Sequence, residues 1–194
     1  MSGIPYVIEK TETGERSYDL YSRLLKDRIV FVTGFFEGQM ANSIVAQLLF
    51  LEANDRDKEI YMYINSSGGE IQAMYAIYDT MQHIESEITT IGFGTVMSAG
   101  SFILAAGTKG KRYALPNAAI MIHEISGGAD GKYNDILIKY KHLEEAYNKM
   151  SKHYAEMTGQ KVCRIKKDME WDYYMTADEA RIYGLIDEVQ EKKG

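Results

Sequence analysis

The sequence predicts an α/β fold with a largely parallel sheet assembled from repeated βαβ units. Three observations carry that reading. Runs rich in β-branched residues alternate three times with helical runs, two amphipathic and the last of small residues, between residues 28 and 106. Glycine punctuates the loops, since proline occurs only as Pro5 and Pro116. Finally, Gly68-Gly69, the 94–98 turn and His123 all fall at the carboxyl ends of predicted strands, the edge at which open parallel sheets bind ligands.

In chain order, residues 1–16 are polar and contain Gly3, Pro5 and Gly14, which suits a mobile arm or a short hairpin. Tyr18–Lys26 sets Tyr18, Tyr21, Leu24 and Leu25 on one side of a helix. The run Arg28-Ile-Val-Phe-Val-Thr33 is a strand ended by Gly34, and Ala41–Asn54 is an amphipathic helix. Glu59–Ile64 follows as a strand and breaks at Asn65-Ser-Ser-Gly-Gly69. Glu70–Ile84 is helical, with Ile71, Met74, Tyr75, Tyr78 and Met81 as its apolar stripe. Ile88–Phe93 (strand), Ser98–Ala106 (helix) and two strands, Arg112–Leu115 and Ala118–His123, come next.

The long helix Tyr133–Met157 differs in kind. Ile136, Tyr140, Leu143, Tyr147, Met150 and Tyr154 recur at steps of four and three, a narrow seam of the sort one helix presents to another. The seam serves either core packing or a subunit contact, and the preceding Gly127-Gly128-Ala-Asp-Gly131 loop suits a hinge. Thr176-Ala-Asp-Glu179 is a capping box for a last helix that Gly184 closes, before a strand at Leu185–Val189. No repeat or linker-like shift divides the chain, so residues 1–194 are expected to form one domain.

Composition narrows the function. With 194 residues, 45% of them apolar, the chain can bury a sizeable core. Its net charge of −6 argues against nucleic acid as the main partner, and the short cluster Lys109-Gly-Lys-Arg112 reads as a solvated turn. No apolar run approaches the ~20 residues of a membrane span. Met1–Arg16 carries acids and lacks the apolar core of a signal peptide, and Cys163 stands alone, so a cytoplasmic location is expected.

Chemistry concentrates around Ser98, at a strand-to-helix junction where unpaired N–H groups and the positive end of a helix dipole converge. Such a serine is either an N-cap or a nucleophile. Of four histidines, His142 and His153 lie on a polar-faced helix and read as surface residues, and His83 closes a helix. His123 alone ends an apolar strand on the edge that carries Ser98. The Ser66-Ser67-Gly68-Gly69 turn can present consecutive N–H groups to an anion but lacks the ending of a P-loop. Val96 replaces the first glycine of the hydrolase motif Gly-x-Ser-x-Gly. No metal-ligand spacing is present, so neither metal nor cofactor is expected. The acidic, aromatic Asp168-Met-Glu-Trp-Asp172 reads by itself as a solvated turn.

Several stretches are recognisable: Tyr18–Arg28, Val45–Glu52, Ile60–Gly69, Ser98–Gly107, Gly110–Asn117 and Tyr183–Asp187. Together they resemble the proteolytic subunit of the Clp protease (the ClpP family), over nearly the whole chain from Ile4 to Val189. The resemblance implies the crotonase-like fold with a projecting handle helix (region 124–158) and an N-terminal axial-loop arm (1–17). It implies two stacked seven-membered rings, homo-oligomeric or mixed, that enclose a chamber in which unfolded polypeptides delivered by an AAA+ unfoldase are cut. It carries a serine-peptidase triad onto Ser98, His123 and Asp172, with oxyanion donors at the backbone N–H groups of Gly69 and Ala99. Unfoldase docking carries over to Tyr61, Tyr63, Ile91, Tyr113 and Leu115.

The chain also departs from the family pattern. Ser67 stands for proline, and Met97 and Ala99 flank the serine in exchanged order, which is expected to reshape the substrate pocket. Glu124 stands for glutamine. Glu170 and Trp171 replace residues of the ring-to-ring ion pairs, and Gln190 replaces a leucine of the docking surface. These changes motivate a rival reading, a catalytically silent ring subunit that shapes a partner's assembly. A second rival is an acyl-CoA enzyme of the same fold with Glu124 as base.

Overall fold

In the computed structural model, which describes residues 3–11 and 14–191, the chain opens as a hairpin. β1 (Tyr6–Thr11) and β2 (Gly14–Asp19) pair antiparallel from Tyr6↔Asp19 to Thr11↔Gly14. Tyr18 therefore belongs to a strand and not to the helix expected there. Asp19 decides the boundary: its Oδ1 accepts the Ser22 N–H at 3.0 Å and caps α1 (Leu20–Lys26).

The expected alternation follows as β3 (Ile29–Phe36), α2 (Gly38–Asn54), β4 (Ile60–Gly69), α3 (Ile71–His83), β5 (Ile88–Met97) and α4 (Ala99–Ala105). β3, β4 and β5 are parallel neighbours, as βαβ connections require. Each runs past the glycine or polar turn at which the sequence pattern stops. Register shifts between Thr33 and Phe35, and between Ile64 and Ser66, absorb Gly34 (φ +92°) and Asn65 and let pairing resume. This second half of each strand builds the platform on which the candidate site stands.

Alternation along β4 sorts its faces. Ile60, Met62 and Ile64 are fully buried in the core with Val30, Leu48, Ile77 and Phe102, each aliphatic chain contributing about 1.5–3 kcal/mol. Tyr61 and Tyr63 turn to the other face, where Tyr63 stacks on Phe31 at 5.5 Å.

β5 then forks. Its first half pairs with β6 (Arg112–Ala114), which continues to β9 (Glu188–Val189), and its second half pairs with β7 (Ala119–Ile122). The resulting α/β molecule, mostly parallel, is compatible with the ClpP fold. The turn before β6 is not the solvated one expected. Arg112 is buried and grips Asp187 through Nε–Oδ2 at 2.9 Å and Nη2–Oδ1 at 2.6 Å, while Lys111 bridges Glu87 and Glu59.

α5 (Tyr133–Thr158) ends at Gly159 in the left-handed conformation and leads into α6 (Val162–Asp168), which the sequence pattern did not announce. Residues 133–142 of α5 are exposed throughout, whereas Met150, Ser151 and Tyr154 are buried. The seam is thus divided: its carboxyl-terminal half packs on the core and its amino-terminal half projects. β8 (Tyr173–Met175) pairs antiparallel with β7, and α7 (Ala177–Tyr183) carries the expected capping box, Glu179 N–H donating to Thr176 Oγ1.

Candidate active site

β5 ends at Met97 and α4 begins at Ala99, so Ser98 alone makes the strand-to-helix turn. Its backbone sits at φ 54° and ψ −120°, a region that side-chain-bearing residues rarely adopt. Ser98 occupies the N-cap position, yet its hydroxyl makes no capping bond to α4. The strand–serine–helix turn of the hydrolase motif thus forms with Val96, fully buried, in place of its first glycine. The Ser98 N–H donates to the Met121 carbonyl at 2.9 Å, and the Ser98 carbonyl accepts from the Phe102 N–H at 3.0 Å.

The Gly68-Gly69 pair is required by the approach of two backbones. A Cβ on Gly68 would lie 2.6 Å from Ser98 Cβ and 3.2 Å from the Ala99 nitrogen, and one on Gly69 would lie 2.3 Å from the Phe36 carbonyl oxygen. Ala99 N–H opens α4, where helix donors lack intrahelical acceptors.

His123 directly follows β7. The antiparallel register Ile122↔Tyr173 sets His123 opposite Asp172, and their side chains meet at Nδ1–Oδ1 3.0 Å. The 168–172 turn is solvated at Glu170, Trp171 and Asp172, as its composition suggested, but it is anchored at Asp168 and Met169. Glu124 N–H donates to the Met169 carbonyl at 2.8 Å, Met169 is fully buried, and Asp168 accepts the Tyr183 hydroxyl at 2.9 Å while pairing with Arg164. Trp171 is 83% exposed.

Ser98, His123, Gly69 and Ala99 line one cavity of about 150 Å³. No hydrogen bond among the described residues joins the Ser98 hydroxyl to His123; such contacts commonly tighten only when substrate binds. Ile71, Met74, Ile125, Leu143 and Met150 give the cavity an apolar wall, and Glu70 and Glu124 add carboxylates. Sequence reasoning missed this wall because Ile71, Met74 and Met150 obey helical periodicity and read as core. Of the two residues that flank Ser98, Ala99 lines the cavity.

Ionisation of the nearby phenols is suppressed. Burial raises Tyr147, helped by the negative charges of Glu124 and Glu170, and burial raises Tyr154 far above its usual range. His153 is half-buried rather than a surface residue, its Nδ1 3.3 Å from the Tyr78 hydroxyl. Among the described residues no group of three His, Cys, Asp or Glu side chains is placed to hold a metal ion.

A family model for Clp protease matches residues 12–193. The chain belongs to the Clp protease family. Membership makes it a Clp-type peptidase subunit, of the hydrolase class, in a family that assembles into oligomers working with Clp ATPases. For this Clp protease family member four of the residues carried over for partner docking lie on neighbouring strands, and Leu115 directly follows β6. Tyr63, Ile91 and Tyr113 are register partners across β4, β5 and β6, with Tyr61 two residues before Tyr63. Tyr61 and Leu115 are exposed, Tyr63 and Tyr113 are half-buried, and Ile91 is buried and offers no open surface. No helix among the described residues is long and apolar enough to cross a membrane.

Proposed function

We propose that the chain is a serine endopeptidase subunit that cuts unfolded polypeptides inside a chamber of stacked heptameric rings, homo-oligomeric or mixed, in the cytoplasm. Substrate reaches the chamber through an AAA+ unfoldase that docks on Tyr61, Tyr63, Tyr113 and Leu115, with Ile91 buried beneath them. The observation that carries the peptidase reading is the His123–Asp172 hydrogen bond at the edge of the cavity that Ser98 lines.

Asp172 accepts the Nδ1 proton of His123, which leaves Nε2 as a free acceptor. Ser98 Oγ attacks the peptide carbonyl as His123 Nε2 takes its proton, and the same proton passes to the leaving amine. The backbone N–H groups of Gly69 and Ala99 hold the developing oxyanion. Water then repeats the sequence and frees the acid product. None of these steps consumes ATP.

Ser98→Ala is expected to abolish cleavage of fluorogenic peptides and covalent labelling by a fluorophosphonate, while the assembly keeps its mass. Labelling that persists in Ser98→Ala overturns the nucleophile assignment. A parent chain that assembles but neither labels nor cleaves favours the silent ring subunit.

A further inference from the structure

Behind Ser98 lies a polar cluster that the peptidase steps do not use. Ser101 is fully buried, and its Oγ lies 2.8 Å from the Ser98 carbonyl oxygen, 2.8 Å from the Met121 carbonyl oxygen and 3.0 Å from the Tyr154 hydroxyl. Tyr154, 1% exposed, also reaches the Ser98 carbonyl at 3.3 Å. Its ring packs edge-on against Phe102 at 5.1 Å, one residue along α4 from Ser101.

Two hydroxyl protons serve this cluster. Ser101 donates to one of the two carbonyls, and Tyr154 donates to Ser101 Oγ or to the Ser98 carbonyl. Each arrangement leaves no hydroxyl unpaired, which a buried polar pair requires. The three elements tied together are those that bear the nucleophile, the base and the exposed helix. Ser98 directly precedes α4, Met121 lies in β7 two residues before His123, and Tyr154 belongs to α5. Burial keeps the Tyr154 phenol protonated and therefore a donor.

We propose that Ser101 and Tyr154 are positioning residues for Ser98, holding its unusual backbone angles and linking the nucleophile to the seating of α5. The inference rests on Ser98 being the nucleophile. A pair of hydroxyls that fixes the carbonyl of the attacking residue acts on the geometry of attack more than on substrate affinity. Movement of α5, whose buried turns at Met150, Ser151 and Tyr154 fasten it to the domain, is felt at Ser98 through the phenol.

The experiment compares Ser101→Ala, Tyr154→Phe, the double variant and Ser151→Ala in the assembled protein. Ser151 is an equally buried hydroxyl on α5 that donates to the Tyr147 carbonyl instead, so it controls for loss of a buried hydrogen bond. The expected result is a roughly 10- to 100-fold loss of kcat and of fluorophosphonate labelling rate in Ser101→Ala and in Tyr154→Phe, with KM nearly unchanged. The double variant falls no further than the worse single one, because the pair acts as a unit. Ser151→Ala lowers Tm but keeps the parent's kcat. Single variants that label as fast as the parent overturn the positioning role and leave the nucleophile standing, as does an equal loss of kcat in Ser151→Ala. A parent chain that does not label overturns the catalytic reading and this inference together.

Discussion

Ser98 holds a backbone conformation that costs on the order of 1–3 kcal/mol for a residue with a side chain, and its neighbours are chosen around it. Gly68 is glycine because Ser98 Cβ occupies the space of a side chain there, and Gly100 because its Cβ would stand 3.0 Å from the Ser66 carbonyl oxygen. The proposed general base depends on one hydrogen bond, from Nδ1 to Asp172. Asp172→Asn is expected to keep fold and assembly but to lower kcat by about 10³–10⁴-fold, because the amide no longer selects the tautomer with Nε2 free. Steady-state kinetics on the assembled variant measure this. A loss under threefold removes Asp172 from the proposed mechanism.

At the scale of elements, Arg112 and Asp187 join β6 to the approach of β9. Burial opposes the charge on Asp187, but the Arg112 guanidinium and the N–H groups of Arg112 and Gly110 outweigh it and hold the carboxyl below its ordinary value of 3.8. Arg112 Nη1 also donates to the Met157 carbonyl at 2.9 Å, so the pair fastens the end of α5 as well. The folded carboxyl is the more acidic state. Its stabilisation is therefore complete above the unfolded value and is lost as pH falls through the lower folded one. Asp187→Asn leaves a buried guanidinium unpaired and is expected to cost about 3–5 kcal/mol at pH 7. Denaturant titrations of parent and variant from pH 7 to pH 2 should show this gap closing in acid. A gap that stays constant rejects the linkage.

For the whole molecule, the projecting half of α5 is the feature one chain cannot account for. Tyr133, Ile138 and Tyr140 are 75%, 69% and 63% exposed, more apolar surface than an isolated helical arm keeps in water without a partner. The proposed ring assembly supplies that partner. Ile138→Asp is expected to reduce the assembly to smaller species in sedimentation velocity and to lower peptidase activity with it. Parent-sized particles would show that this face of α5 lies outside the subunit contact. The exposed Trp171 cannot enter the ion pairs of the family pattern, since an indole carries no charge to pair.

Local periodicity determined much of this protein in advance. β-branched runs and amphipathic stripes specify β3 to β5 because the faces they bury are set within a few residues, and the capping box of α7 is a contact across three. Strand ends alone made Ser98 and His123 candidates, with an N-cap role for Ser98 left open. Asp172 could not, and only family resemblance suggested it, because its meeting with His123 depends on a three-residue strand pairing with β7 across 49 positions. Arg112 looked solvated because its partner lies 75 residues away. Bulges carried β3 and β4 beyond their apparent ends, since a register shift is decided by the neighbouring strand. The Ser101–Tyr154 contact joins two helices 53 residues apart, and each residue alone is an ordinary buried side chain. Sequence determines which faces are buried where the period is local; tertiary structure decides which buried polar groups find one another, because those partners are brought close only by the completed sheet.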